Sequence, residues 1–116
     1  MFRRFFGSSI IMPSAEIKIK AQSIIDENGV VVFSKSWCPY CKASKSRLTE
    51  LGAKFQALEL DQLDDGAALQ DALLEISGQR TVPNIYINHK HIGGNSDLQA
   101  KKDSDLIALL KEAGAL

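Results

Sequence analysis

Residues 30–42 read VVVFSKSWCPYCK and contain both cysteines of the chain, Cys38 and Cys41. The first four residues of this stretch are apolar and mostly β-branched, which is typical of a strand that is buried on both faces. Pro39 suits the first position of a helix, because the N–H group that proline lacks would be unpaired there. A C-x-x-C motif between a buried strand and a helix is the context in which this spacing predicts a redox-active dithiol.

The position of Cys38 at the predicted start of a helix favours its reactivity. Unpaired backbone N–H groups and the helix macrodipole stabilise a thiolate there and can lower a cysteine pKa from about 8.5 to about 3.5–7.5. Residues 28–49 contain no Asp or Glu, whereas four cations fall in this range, Lys35, Lys42, Lys45 and Arg47. Cys38 is therefore predicted to be the nucleophile, with Lys35, the helix N-terminus and the acid-free flank holding it largely as a thiolate at neutral pH. Cys41, three residues further along, is predicted to be the resolving thiol that closes the disulfide.

Three other uses of the cysteine pair stay open on the residues alone. A structural zinc site would need about four ligands, and the spacing of His89 and His91 does not fit the usual pattern; these histidines are expected to be surface residues of a hairpin turn. A structural disulfide would close a very short loop, where cross-linking stabilises least. Two inert buried thiols are the third alternative, since free cysteines are often part of a core.

Length and composition indicate one globular domain. The chain has 116 residues, 45% hydrophobic and 24% charged, which is enough for a single modest core. The formal net charge is zero and there is no basic block, so binding to nucleic acid or to an anionic membrane is not expected. No apolar run approaches the roughly 20 residues that span a bilayer. Two cysteines are too few for a secreted disulfide framework, and a cytoplasmic location is expected.

Residues 1–13 are predicted to be an N-terminal extension. The first twelve residues, MFRRFFGSSIIM, contain two arginines, two serines and no acid, a composition like that of a short mitochondrial presequence. Met12 offers a second translation start, so we expect the form that begins at Met1 to reach mitochondria and the form that begins at Met12 to stay in the cytoplasm. A disordered terminus with no targeting role is the alternative.

The periodicity of residues 14–116 predicts an α/β domain. Apolar residues recur at helical spacing over residues 14–28, from Pro39 to Leu51, and between Gly66 and Gly78. Residues 54–60 read as a second strand, and residues 84–92 have the pattern of a β-hairpin. A closing helical region begins with cap candidates at residues 95–97. The sum is a four-stranded mixed sheet with helices on both faces.

Three motifs, in this order and spacing, resemble those of the dithiol glutaredoxins: Cys38-Pro39-Tyr40-Cys41, Thr81-Val82-Pro83 and Gly93-Gly94-Asn95-Ser96-Asp97. The resemblance covers essentially everything after Met12 and is close to fungal members of the family. It implies a thioredoxin-like fold and a glutathione-dependent thiol–disulfide oxidoreductase, which reduces protein–glutathione mixed disulfides and protein disulfides through the Cys38/Cys41 dithiol. Trp37 departs from the Tyr, Phe, Thr or Ala that many members carry before the first cysteine.

The resemblance also implies where glutathione, the co-substrate, is held. Lys35 and Gln70 match positions that bind the glycine carboxylate. Val82 precedes Pro83, which keeps its backbone extended, and the resemblance implies that the Val82–Pro83 peptide bond is cis. The backbone N–H and C=O of Val82 would then pair with glutathione as the edge of a sheet pairs with an added strand. Ser96 and Asp97 match positions that receive the γ-glutamyl end. The full set is Lys35, Cys38, Tyr40, Gln70, Thr81, Val82, Pro83, Ser96 and Asp97.

The partners implied by the resemblance are glutathione and glutathionylated or disulfide-bearing proteins. Glutathione reductase and NADPH would act indirectly, and a monomer without a resident metal is expected. Two rival functions stay open. Some glutaredoxins bind a [2Fe–2S] cluster through the active-site cysteine and glutathione, and a thioredoxin-like enzyme would instead be reduced by a flavin reductase.

Overall fold

The computed structural model describes residues 14–116. The predicted N-terminal extension and its targeting role fall on residues 1–13 and lie outside the described part. Within residues 14–116 the secondary structure consists of α1 (Ser14–Glu27), β1 (Val30–Ser34), α2 (Pro39–Glu50), β2 (Gln56–Glu59), a short 3-10 turn (Leu60–Gln62), α3 (Gly66–Ser77), β3 (Asn84–Ile87), β4 (Lys90–Gly93), α4 (Asn95–Gln99) and α5 (Asp103–Glu112). None of these helices has the length and apolar character that crossing a membrane requires.

The four strands form one mixed sheet in the order β2-β1-β3-β4. β1 is parallel to β2 and antiparallel to β3, and β3 and β4 form an antiparallel hairpin. The two residues that turn this hairpin, Asn88 and His89, both have positive φ angles, of 53° and 68°, as a tight two-residue hairpin turn requires. The predicted thioredoxin-like fold, with helices on both faces of the sheet, is confirmed.

The central strand β1 anchors both halves of the core, because its side chains alternate between the two faces of the sheet. Val31 and Phe33 pack in one cluster with residues of α1 and α3. Val30 and Val32 pack in a second cluster with residues of α2, α4 and α5. All five residues of β1 are buried, and burying each large apolar side chain stabilises the fold by about 1.5–3 kcal/mol. The end of β1, where the C-x-x-C segment begins, is therefore firmly fixed.

Two elements differ from the sequence predictions. The second strand is shorter than predicted: β2 ends at Glu59, and Leu60 begins the 3-10 turn and packs into the α1/α3 cluster. The closing helical region is two helices, α4 and α5, rather than one. Arg47 of α2 stabilises the break between them, since its guanidinium donates to the carbonyl groups of Leu98 and Lys101 near the end of α4.

Arg47 provides a test of how α4 is held. Its side chain is largely buried and also pairs with Asp103 at 2.8 Å. Lysine at this position would keep the charge but not the forked geometry, so we expect Arg47→Lys to lower the free energy of unfolding by about 1–3 kcal/mol in urea titrations. The matched control is Arg80→Lys, which alters an ion pair with Asp71 that is exposed on both sides and should change stability by less than about 0.5 kcal/mol. Equal effects of the two changes would contradict this role for Arg47.

Candidate active site

Cys38 is the N-cap residue of α2. Its backbone is extended, with φ −85° and ψ 119°, and Pro39 occupies the first helical position, as the sequence predicts. The backbone N–H of Cys41 donates to Cys38 Sγ over 3.4 Å. The sulfur thus takes the place that a Ser, Thr, Asp or Asn oxygen usually has at a helix start. Both cysteines are free thiols in this structure.

The same geometry shifts the pKa values of the two thiols in opposite directions. Burial raises the pKa of Cys38, but hydrogen bonds from the thiol and N–H of Cys41 and from the N–H of Tyr40, together with the charge of Lys45, outweigh burial and bring it below the ordinary value. Burial and the hydrogen bond to Cys38 both raise the pKa of Cys41, despite opposing hydrogen bonds from Lys35 and Ser34. Of the pair, Cys38 is therefore the one that favours the thiolate form.

The folded site is less basic than the sequence indicates. The parallel pairing of β1 with β2 sets Ser34 beside Glu59, and the Glu59 carboxylate accepts from the Ser34 hydroxyl and from Lys45 Nζ, both at 2.8 Å. Asp61 accepts from the backbone N–H of Ser36 at 2.9 Å and from its hydroxyl, and these bonds lower the pKa of Asp61. Two acids from another part of the chain thus offset the cations of residues 28–49.

The lysine that lowers the pKa of Cys38 is Lys45, whereas the sequence pattern assigned this role to Lys35. Lys35 Nζ lies 5.7 Å from the centre of the Trp37 ring, a distance at which a cation–π interaction holds it. Trp37 itself is 67% exposed, as is Tyr40. The unusual residue before the first cysteine therefore places an indole on the surface, with a lysine over its ring.

An open groove of about 370 Å³ lies next to Cys38, within the size range of small-ligand sites. It is lined by Tyr40, Thr81, Val82, Pro83, Gly94, Asn95 and Ser96. Cys38 Sγ lies 4.0 Å from the carbonyl oxygen of Val82, and the Val82–Pro83 peptide bond is cis, as the resemblance implies. The groove thus brings together five residues of the predicted glutathione site and places the thiol of Cys38 beside it.

Besides Cys38, which lies next to the groove, three residues of the predicted set do not line it. Lys35 lies over the exposed ring of Trp37 rather than in the groove. Gln70 is buried, at 6% exposure, and its amide donates to the carbonyl of Arg80 at 3.0 Å, so it supports the loop that leads to Thr81. Asp97 is exposed, and its carboxylate accepts from the N–H of Gly94 at 2.9 Å at the start of α4.

Sequence reasoning missed two groove residues, Gly94 and Asn95, although both fall within a motif that it used. Asn95 is fixed by the Ser44 hydroxyl, which donates to its side-chain oxygen at 2.8 Å. The signal that could have identified this segment is the double glycine at residues 93–94. Gly93 has φ 120°, and a Cβ there would lie 2.3 Å from a carboxylate oxygen of Asp97. Only glycine fits such a position. His89 and His91 are exposed, as predicted, and neither lines the groove.

Similar proteins support what the geometry indicates. The glutaredoxin family model matches residues 30–92, more than half of the chain. A glutaredoxin of Vernicia fordii is 52% identical over 84% of this chain and 95% of its own length, and glutaredoxin-C2 of Arabidopsis thaliana is 51% identical over 84% and 88%. The crystal structure of a buckwheat glutaredoxin–glutathione complex has a TM-score of 0.84 at 45% identity, over 89% of this chain and 94% of that chain.

The dithiol lies where the central strand β1 ends and α2 begins, with Cys38 as the cap of that helix and a small-ligand groove beside it. This arrangement defines a thiol oxidoreductase of thioredoxin-like fold. The chain belongs to the glutaredoxin family. It is a glutathione-dependent oxidoreductase with glutathione as its co-substrate. The two relatives named here are plant proteins, and the predicted closeness to fungal members is unsupported. Among residues 14–116 no group of three or more His, Cys, Asp or Glu is placed to hold a metal ion.

The pKa shift of Cys38 gives a test of which lysine contributes to it. We expect alkylation of Cys38 by iodoacetamide, located by mass spectrometry, to reach its pH-independent rate below the roughly 8.5 of an ordinary thiol. Removing a positive charge disfavours the thiolate, so Lys45→Met should move this transition to higher pH. Lys35→Met is the matched control and should move it less. A larger effect of the Lys35 change would contradict the assignment.

Proposed function

We propose that the Cys38 thiolate attacks the glutathione sulfur of a protein–glutathione mixed disulfide. The bond between that sulfur and the protein sulfur breaks, the protein thiolate leaves, and glutathione stays on Cys38 as a new mixed disulfide. A second glutathione then attacks, which releases glutathione disulfide and restores the thiolate. The observation that carries this proposal is the capping of α2 by Cys38 Sγ. This cap stabilises the thiolate form of Cys38 and not that of Cys41.

For protein disulfides, we assign the second step to Cys41. Cys38 forms a mixed disulfide with the substrate, and Cys41 attacks Cys38, so that the substrate leaves reduced and the two cysteines form a disulfide. Glutathione reduces that disulfide, and a separate glutathione reductase recycles glutathione with NADPH. Because one chain holds both cysteines and the whole groove, a monomer suffices for both reactions.

We place glutathione in the groove beside Cys38. Its cysteine residue would pair with the backbone of Val82, as an added strand pairs with a sheet edge, and Tyr40, Thr81 and Pro83 would contact it from the sides. The γ-glutamyl end would lie at Ser96, with its ammonium toward Asp97. Of the two residues predicted to bind the glycine carboxylate, Lys35 would attract it by its charge. Gln70 would act indirectly, through the loop that its amide holds at the carbonyl of Arg80. The glutathione complex of the buckwheat relative supports this choice of ligand.

The division of labour between the cysteines has a direct test. Cys38→Ser should abolish reduction of both a glutathionylated protein and a protein disulfide, because serine provides no nucleophilic thiolate. Cys41→Ser should keep most of the first activity and lose most of the second. Both are measured as NADPH consumption in a coupled assay with glutathione and glutathione reductase. Equal loss of the two activities in both variants would show that the roles are wrongly assigned.

The position of the γ-glutamyl end can be tested at Asp97. Asn can still accept the hydrogen bond from Gly94, so Asp97→Asn should preserve the start of α4 while removing the charge opposite the ammonium. We expect the KM for glutathione to rise about two- to fivefold with kcat nearly unchanged, since a charge-assisted hydrogen bond becomes a neutral one at an exposed site.

The matched control is a glutathione analogue without the amino group. For this analogue the wild-type protein and the Asp97→Asn variant should have the same KM, because the contact under test is missing from both. If the variant raises the KM for the analogue as much as for glutathione, Asp97 acts by shaping the groove and the proposed ammonium contact is refuted.

A further inference from the structure

The loop of residues 78–83 joins α3 to β3 and carries one wall of the groove. It contains no helix or strand, so the hydrogen bonds of regular secondary structure do not fix its backbone. Val82, in this loop, has to hold its backbone N–H and C=O in a constant direction if glutathione is to pair with them as an added strand pairs with a sheet. Side-chain hydrogen bonds therefore have to hold the loop.

The side-chain amide of Gln79 bonds to the backbone on both sides of Val82. Its Nε2 donates to the carbonyl oxygen of Thr81 at 3.1 Å and to that of Pro83 at 3.0 Å. An amide nitrogen carries two hydrogens, so these two bonds use both of them. The carbonyl oxygen of Val82 lies instead 4.0 Å from Cys38 Sγ. The Gln79 amide thus pairs with the two flanking carbonyl groups and leaves that of Val82 directed toward the nucleophile.

Gln79 is itself fixed to the ends of α3 and β3. Its backbone N–H donates to the hydroxyl of Ser77, the last residue of α3, at 3.3 Å. Its carbonyl accepts from Nδ2 of Asn84, the first residue of β3, at 3.2 Å. Asn84 is only 1% exposed, and its side-chain oxygen bonds to His91 Nε2 at 3.0 Å. The helix and the sheet therefore set the position of the Gln79 amide.

Gln70 supports the same loop differently. Its amide makes one hydrogen bond to the loop, to the carbonyl of Arg80, which precedes Thr81. This bond fixes where the loop approaches the groove but does not set the direction of the peptide groups on either side of Val82. The two bonds from Gln79 set that direction, because they hold the carbonyl before Val82 and the carbonyl after it at one nitrogen atom.

We propose that Gln79 is a positioning residue for glutathione, which orients the backbone of Val82 for pairing with the cysteine residue of the ligand. Gln79 does not line the groove and acts through Val82. Because its amide holds the loop before glutathione arrives, binding does not have to order these residues, and such preorganisation strengthens binding. The inference rests on the proposed placement of glutathione against Val82.

The test compares glutathione disulfide with the symmetric disulfide of a glutathione analogue whose cysteine N–H is methylated. Methylation removes the donor that would pair with the Val82 carbonyl. In the Cys41→Ser protein, Cys38 Sγ bonds to one sulfur of either disulfide, the other sulfur leaves as a thiolate, and the reaction stops at the mixed disulfide. Acid quenching and mass spectrometry give the rate. Each rate constant is divided by that of free cysteine with the same disulfide, which removes differences in intrinsic reactivity.

With Gln79 in place, the corrected rate constant should favour glutathione disulfide over the analogue by at least about threefold, as expected for one hydrogen bond. Gln79→Met keeps the length of the side chain but has no donor. It should slow the reaction with glutathione disulfide and barely change that with the analogue, so that the preference falls to about half or less. Gln22→Met is the matched control, because Gln22 bonds only to Asp26 of its own helix at an exposed site, and it should keep the full preference.

Two results would overturn the inference. Equal slowing with both disulfides would mean that Gln79 only stabilises the loop, and an unchanged preference would mean that Val82 is oriented without it. Gln79→Glu, whose carboxylate cannot donate, is a second variant of the same shape and should also lose the preference. Bis(2-hydroxyethyl) disulfide has no peptide group, so its reaction with Cys38 reports folding and should stay within about twofold in every variant.

The same experiment separates this inference from the proposed function on which it rests. If the protein with Gln79 in place does not prefer glutathione disulfide over the methylated analogue, glutathione does not pair with Val82. The proposed placement of glutathione is then wrong, and the role of Gln79 is refuted with it. If that preference is present and survives in both Gln79 variants, the placement stands and only the role of Gln79 is refuted.

Discussion

The site depends on one interaction, the hydrogen bond that the N–H of Cys41 donates to the sulfur of Cys38, by which Cys38 caps the start of α2. A thiolate is a better acceptor than a thiol, so this bond and the helix N-terminus favour the anion at Cys38. The same turn of helix buries Cys41, and burial raises the pKa of its thiol. A single local geometry thus makes two chemically identical side chains different, and the order of the reaction follows from that difference.

The rest of the fold holds this geometry and the groove beside it. The end of β1 is fixed because both faces of the strand are covered, by α1 and α3 on one side and by α2, α4 and α5 on the other. The groove has walls from three separate stretches of the chain, at Tyr40, at residues 81–83 and at residues 94–96. Gln70 anchors the second wall through Arg80, and Ser44 fixes the third through Asn95. Small shifts of α4 would therefore change the groove without any change at the cysteines.

Local patterns predicted most of the fold and the position of the nucleophile. The run VVVF and Pro39 were sufficient for a central strand followed by a helix with Cys38 at its start, because strand burial and helix capping depend on neighbouring residues. What local patterns missed was contact between distant residues. Glu59 and Asp61 reach the site only through the pairing of β2 with β1, so the charge of residues 28–49 was misjudged and Lys35 was favoured over Lys45. Gln70 matched a family position, yet only the folded structure shows that its amide bonds to Arg80.

The central claim is that helix capping separates the proton affinities of the two thiols, with Cys38 the more acidic. The most direct measurement is a pH titration of the reduced protein by NMR, in which the Cβ chemical shifts of Cys38 and Cys41 are followed separately. The account predicts two separate transitions, that of Cys38 below the roughly 8.5 of an ordinary thiol and that of Cys41 above it. Coincident transitions, or a lower transition for Cys41 than for Cys38, would contradict it.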